Sequence, residues 1–374
     1  MVTKGYNSYH GRMSGGKIVL IVVLALVLAL SLCAIPAAAA DDQTRSDDPV
    51  VFVHGLMGWG QRAGINAVLP YWGMTTGSLT SYFNSLGYET YSATVGPISS
   101  AWDRACELYA ELTGGTADYG IAHAQRFGHA RFGTAYPAPL VSDWGADRPI
   151  DLVGHSFGGA TTRLFLEILT NGCPEEVAAA KAAGTTPSPL FTGGKSSWVH
   201  SMTEIAAPHN GTTFLECCGD MTQFAAEIST TMAKLLGISD FKGVYDFQLE
   251  QFGFYRKDGE TVLEALDRVL HSDFLSHNDN VFRDLTIDRA LELNDDIEIQ
   301  PNVYYFSYAG DKTRQSAVTG ERTSAVDMTP LFVPFANQMC GYYDQTTAGG
   351  FRIDKSWAPN DGLVNTVSAL YPTN

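Results

Sequence analysis

The residues with the plainest chemical meaning are Gly154-His155-Ser156-Phe157-Gly158, a serine with glycine two positions to either side. An apolar run, Pro149 to Val153, leads into them, and a helix-patterned segment, Thr161 to Leu169, follows. A strand that enters a helix through so tight a turn needs glycine, because the backbone passes close to its neighbours. The serine is then presented at the head of a helix, where unpaired N–H groups favour developing negative charge. The pattern predicts a nucleophile, Ser156, that forms a covalent intermediate. A second motif fits beside it. His54-Gly55-Leu56-Met57-Gly58 follows another short apolar run, Pro49 to Val53, and His-Gly loops in that place supply an amide to an oxyanion. The expected donors are the N–H groups of Leu56 and Phe157. His54 itself reads as structural.

These residues need a scaffold of strands feeding loops. Residues 49–53 and 149–153 read as buried strands, and 197–205 and 302–309 as two more. Helical patterns lie between them, so the chain is expected to be α/β, with a mostly parallel sheet covered on both faces. The stretch 96–145, rich in Gly, Tyr and His, reads as an insertion rather than sheet core. No internal repeat is present.

Of 374 residues, 45% are hydrophobic and 17% charged, a composition with enough apolar material for one large domain. The net charge of −16 argues against nucleic acid as a partner. Residues 1–40 have a different character. Lys4, Arg12 and Lys17 precede an apolar run from Ile18 to Ile35, and Pro36 to Ala40 is a run of small residues. That is the pattern of a secretory signal peptide cleaved after Ala40; an uncleaved anchor over 18–35 is the alternative. Cleavage would take the charge to −19 and leave five cysteines, Cys106, Cys173, Cys217, Cys218 and Cys340. An odd number cannot all pair within one chain, and most are expected to be free thiols. No obligate protein partner is implied, and sequence does not set the oligomeric state.

Several further motifs carry a family resemblance. Val51 to Gly60, Val95 to Glu107, Asp118 to Ala124, Gly128 to Gly133 and Asn360 to Thr366 together resemble the secreted bacterial triacylglycerol lipases of the Geobacillus and Staphylococcus type. The match runs from about residue 49 to the last residue. The Geobacillus-type members carry alanine at the first position of the serine motif, whereas this chain has Gly154, as in the staphylococcal ones. The resemblance implies an α/β-hydrolase fold over 41–374 and a lipid or other ester substrate met at an oil–water interface. It implies that Asp361 is the acid that orients a protonated histidine. It further implies a structural zinc site built from Asp103, His123, His129 and Asp279; two histidines six apart with two carboxylates offer a closed tetrahedral set. The family flanks this site with tryptophans, where this chain has Phe252 and Leu275. A lid helix is expected within about 215–240, where Met221, Phe224, Ala225, Ile228, Met232, Leu235 and Leu236 recur at helical spacing.

One element of the resemblance has no match. The family places its catalytic histidine after the segment of Asp361, and none of residues 362–374 is histidine. Truncation is the plainest explanation. The family's calcium ligands belong to the same region, so calcium is not expected. The reading is therefore a lipase working through a serine acyl-enzyme. The alternatives are a carboxylesterase or phospholipase with the same site, or an inactive remnant.

Overall fold

The computed structural model describes residues 47–373 apart from 218–220; the predicted signal peptide and Cys218 lie outside the described residues. Five parallel strands form the sheet: β1 (Val50–Val53), β2 (Thr90–Ala93), β3 (Ile150–His155), β4 (Val199–Ile205) and β5 (Tyr304–Tyr308), in the order β2-β1-β3-β4-β5. Val51, Val53, Ile150 and Leu152 are fully buried, as expected for strands covered on both faces. This is the predicted α/β-hydrolase arrangement. Strand β2, Thr-Tyr-Ser-Ala, was not anticipated from the sequence. Its residues lack an apolar run, and pairing with β1 is what makes them a strand.

Strand β5 is placed differently from its sequence reading. It forms an edge, and Tyr304, Phe306 and Tyr308 are all exposed. An apolar run does not specify whether a strand is central or at an edge, because neighbours decide it.

The 96–145 stretch also divides. Helix α1 (Ala101–Thr113) is core, not peripheral: it packs along α2 (Phe157–Asn171), the helix that begins after Ser156. It escapes notice because it buries charge. Asp103, Arg104, Glu107 and Glu111 are all fully buried, and each is hydrogen-bonded, as burial of charge requires. Glu107 accepts from Gly96 N–H (2.6 Å) and the Tyr119 hydroxyl (2.9 Å), and Glu111 accepts from Thr94 N–H (2.6 Å) and Arg62 Nε (2.9 Å). After α1, an antiparallel pair, Gly115–Asp118 with Phe132–Tyr136, frames the short helix Ile121–Phe127.

The segment expected as a lid contains α3 (Met221–Leu235), which packs against α4 (Val262–Leu270). Ala225 and Ile228 are buried; the side chains of Met221 and Phe224 lie outside the described residues. Cys106, Cys173 and Cys340 are free thiols. No helix among the described residues is long and apolar enough to cross a membrane.

Candidate active site and metal centre

Ser156 occupies the turn between β3 and α2 with φ 54° and ψ −127°, a conformation that costs a non-glycine residue of order 1–3 kcal/mol and persists only where its surroundings enforce it. Those surroundings are tight. A Cβ at Gly158 would lie 2.2 Å from the Val53 carbonyl oxygen, and one at Gly55 would lie 2.7 Å from Ser156 Cβ. The two loops foreseen from sequence are thus pressed against each other, with Leu56 and Phe157 flanking the serine. Among the described residues neither the Leu56 nor the Phe157 amide donates a hydrogen bond. Two unengaged amides beside a serine hydroxyl can hold a developing oxyanion.

Residues that the motif reading did not single out fix the loop carrying Leu56. Buried Arg104 donates to the His54 carbonyl, to the Gly96 carbonyl (2.9 Å) and to Thr161 Oγ1 on α2 (2.8 Å). Its guanidinium also lies 5.2 Å from the Phe157 ring centroid. Tyr71 accepts from Gly55 N–H (3.2 Å) and bonds His155 Nδ1 (2.7 Å). Sequence gave no signal for Tyr71, which lies outside every motif; Arg104 lies inside one, next to Asp103. Behind the serine, Glu204 Oε1 accepts from Thr162 Oγ1 (2.7 Å), while its buried Oε2 has no partner. Burial pushes this carboxyl up to about 8. Its Oε2 also lies where a Cβ at Gly154 would come within 2.3 Å. That contact explains why this chain needs glycine at the first motif position.

Asp361 follows the same end of the sheet as Ser156. Its Oδ1 accepts from Leu363 N–H (2.9 Å) and Val364 N–H (2.8 Å), and its Cβ lies 3.4 Å from the Cβ position of Gly310, just past β5. Burial raises its pKa despite those bonds. Strands β3 and β5 are separated by β4, so the serine and the acid are two strand spacings apart, roughly 10 Å across the sheet. No described histidine bonds either of them. Burial holds His54 near 3 and His155 near 4. His209 is likewise lowered to about 3 by burial, and its Nε2 lies 3.3 Å from Ser307 Oγ. His200 and His271 lie beside aspartates, and His277 bonds the Phe127 carbonyl. With basicity that low, His54, His155 and His209 are poor proton acceptors at neutral pH.

The four residues expected to bind a metal converge, although they come from three separate parts of the fold. Asp103 lies in the first turn of α1, His123 on the short helix, His129 just after it, and Asp279 before the turn at Val281. His123 Nε2 is 3.3 Å from Asp103 Oδ1 and 2.9 Å from Asp279 Oδ2, and His129 Nε2 is 3.1 Å from Asp279 Oδ2. Asp103 Oδ1 and His129 Nε2 are buried without hydrogen-bond partners. Burial alone would lower the pKa of His123, but the carboxylates of Asp103 and Asp279 beside it outweigh that and raise it to about 9. Outer contacts fix the set: Gln251 Nε2 donates to Asp103 Oδ2 (2.7 Å) and His129 Nδ1 donates to the Ala130 carbonyl (2.8 Å). Oriented imidazoles of this kind are typical of metal ligands. The group is able to hold a metal ion. Phe252 packs on His129, and Trp102 stacks on His123 with centroids 5.0 Å apart. Trp102 was not anticipated, since sequence does not show which way a helix residue next to a ligand faces.

Residues 46–374 match the family model described as lipase-like, C-terminal domain. A lipase of Staphylococcus epidermidis is 34% identical over 340 residues, covering 90% of this chain and 47% of that protein. The chain thus spans about half the length of the curated relatives it matches. Among solved structures, EstA from Clostridium botulinum superposes with a TM-score of 0.79 at 39% identity, covering 88% of this chain and 77% of that one. Staphylococcus hyicus lipase gives 0.73 at 34%, covering 90% and 83%.

Proposed function

The chain belongs to the family of lipase-like C-terminal domains, and from that premise we propose that it is a secreted hydrolase that cleaves triacylglycerol esters through an acyl-enzyme on Ser156. The observation that carries this reading is the strained Ser156 set beside two amides, Leu56 and Phe157, that donate to no other described group. Ser156 Oγ attacks the ester carbonyl, and the two amides stabilise the tetrahedral oxyanion. Collapse expels the glycerol oxygen as an alcohol and leaves the acyl group on Ser156; water then releases the fatty acid. Asp361 would stabilise the protonated form of the base, a histidine that none of the described residues supplies. Helix α3 would serve as the lid over this site, exposing apolar surface at an oil interface and hiding it in water. The leader over 1–40 would direct secretion.

The metal of the four-residue centre is proposed to be zinc. Two imidazole nitrogens and two carboxylate oxygens form a closed set, so the ion would be structural rather than catalytic. What supports this is the pair of buried, partnerless donor atoms on Asp103 and His129.

A second reading is a folded, metal-stabilised protein with little turnover, favoured by the engagement of every described histidine away from Ser156. One experiment separates the two. The purified protein, alone and joined to the C-terminal segment of the Staphylococcus epidermidis relative, is treated with a fluorophosphonate and assayed on long-chain triacylglycerol. The hydrolase reading expects labelling at Ser156 and turnover once the segment is present. Neither labelling nor turnover in the joined protein would leave the second reading.

A further inference from the structure

We propose that Asp48, Asp151 and His200 form a second divalent-cation site, at the end of the sheet opposite Ser156. Asp48 precedes β1, Asp151 is the second residue of β3 and His200 the second of β4, and these three strands are neighbours. Asp151 and Ser156 lie at the two ends of one strand, roughly 16 Å apart at 3.3 Å per residue. This centre therefore has no part in the chemistry of the serine.

The pairing of β3 with β4 is irregular at this point. Ile150 faces Val199 but Asp151 faces Ser201, so His200 is the extra residue of a bulge. A bulged residue is left out of the ladder and its side chain is re-aimed. Here it is aimed at two carboxylates: Nδ1 lies 2.9 Å from Asp48 Oδ2 and 3.3 Å from Asp151 Oδ1. All three donor atoms lie within 4.8 Å of one another.

The geometry separates a cation site from a simple ion pair. His200 Nδ1 is shielded from solvent and close enough to both carboxylates, yet makes no hydrogen bond to either. An N–H held by a carboxylate would point along one N···O line. Donor atoms that share a cation instead point at a common centre, and with bonds of about 2.1 Å adjacent ligands lie about 3.0–3.4 Å apart. The same spacing and a partnerless imidazole nitrogen mark the Asp103–His123–His129–Asp279 centre. Outer contacts are present as well. Ser201 Oγ donates to Asp151 Oδ1 (2.5 Å), and the Tyr304 ring packs edge-on to His200 with centroids 5.5 Å apart. Such contacts hold ligands in place.

One imidazole and two carboxylates suit a first-row divalent transition ion such as zinc, whose charge cancels that of the two aspartates. Three protein ligands leave room for water. The side chains of His200 and Asp48 remain 40% and 24% exposed, which gives the ion a way in. Bound there, it would tie together the starts of three strands.

The test is metal stoichiometry. The full chain, stripped with a chelator, is titrated with zinc chloride by calorimetry and analysed for metal after dialysis. Two equivalents are expected for the unmodified protein and one for His200→Ala, Asp151→Asn or Asp48→Asn. The His123→Ala/His129→Ala double variant should also bind one, and its combination with His200→Ala none. Circular dichroism establishes that each variant is folded, and Asp48→Asn, ahead of the first strand, keeps the test available if a strand variant is not. Retention of both equivalents in His200→Ala and Asp48→Asn overturns the proposal. So does a single equivalent that the double variant abolishes. A single equivalent that survives the double variant but not His200→Ala supports this site and removes the zinc reading of the other.

Discussion

Ser156 is positioned by the handful of residues on either side of it, whereas the candidate metal centre draws its side chains from positions 103, 123, 129 and 279. At the elbow, β3 ends, one residue takes a positive φ, and α2 begins; the instructions are contiguous. At the metal centre, a helix start, a short framed helix and a distant loop must all fold before any two ligands meet. The elbow stores its strain in one residue and is held by close backbone contacts. The metal centre stores unpaired donors that only folding brings together, so it should bear more directly on global stability.

The sharpest way to break this comparison is Ser156→Ala. Fluorophosphonate labelling should be lost entirely, while metal content and the melting temperature stay as they were. Labelling at full stoichiometry would remove the nucleophile. The converse experiment is the His123→Ala/His129→Ala variant. It leaves two carboxylates buried together without their partners, which should cost about 3–5 kcal/mol, read by urea unfolding. A chelator should lower the melting temperature of the unmodified protein by more than that of this variant, because each ion binds the folded state. An equal shift in both would place the metal elsewhere.

A smaller effect is expected from Gly158→Ala. The added methyl would meet the Val53 carbonyl oxygen, and overpacking of this kind costs about 1–3 kcal/mol. Labelling of Ser156 should slow by more than stability alone explains, since Phe157 must shift with it. Unchanged labelling would mean that the turn has slack. The finest distinction is a pH dependence at Glu204→Gln. Burial raises Glu204 to about 8 in the folded protein, against about 4.3 when unfolded. The folded state therefore keeps a proton that the unfolded state has lost, and stability falls as pH rises across that window. Glutamine stays neutral, so the variant should match the unmodified protein near pH 4 and gain on it up to about pH 8, by no more than about 1.4 kcal/mol per pH unit. Parallel stability curves at pH 4, 6 and 8 would show that Glu204 is not held protonated.

The same division explains what was legible in advance. The elbow, the Leu56 loop and four of the five strands were readable, because each is a local pattern of apolar runs and glycines. The four candidate ligands came from a resemblance, not from spacing; nothing in a lone Asp279 connects it to His123. Trp102, Tyr71 and Glu204 were missed, since their roles depend on what faces them across the fold. Helix α1 was misplaced because buried Asp103, Arg104, Glu107 and Glu111 look like a solvated surface until their partners are known.

What the sequence alone determined is therefore the strand–turn–helix that carries Ser156, the Leu56 loop pressed against it and the parallel α/β framework. These rest on backbone conformations set within a few residues, where glycine and apolar patterning act directly. Tertiary structure decided which strand became the exposed edge, which charged helix went inside, and where seven carboxylate and imidazole side chains from distant positions meet in two clusters. Those outcomes depend on burial and mutual electrostatics, which exist only once the segments share the same space.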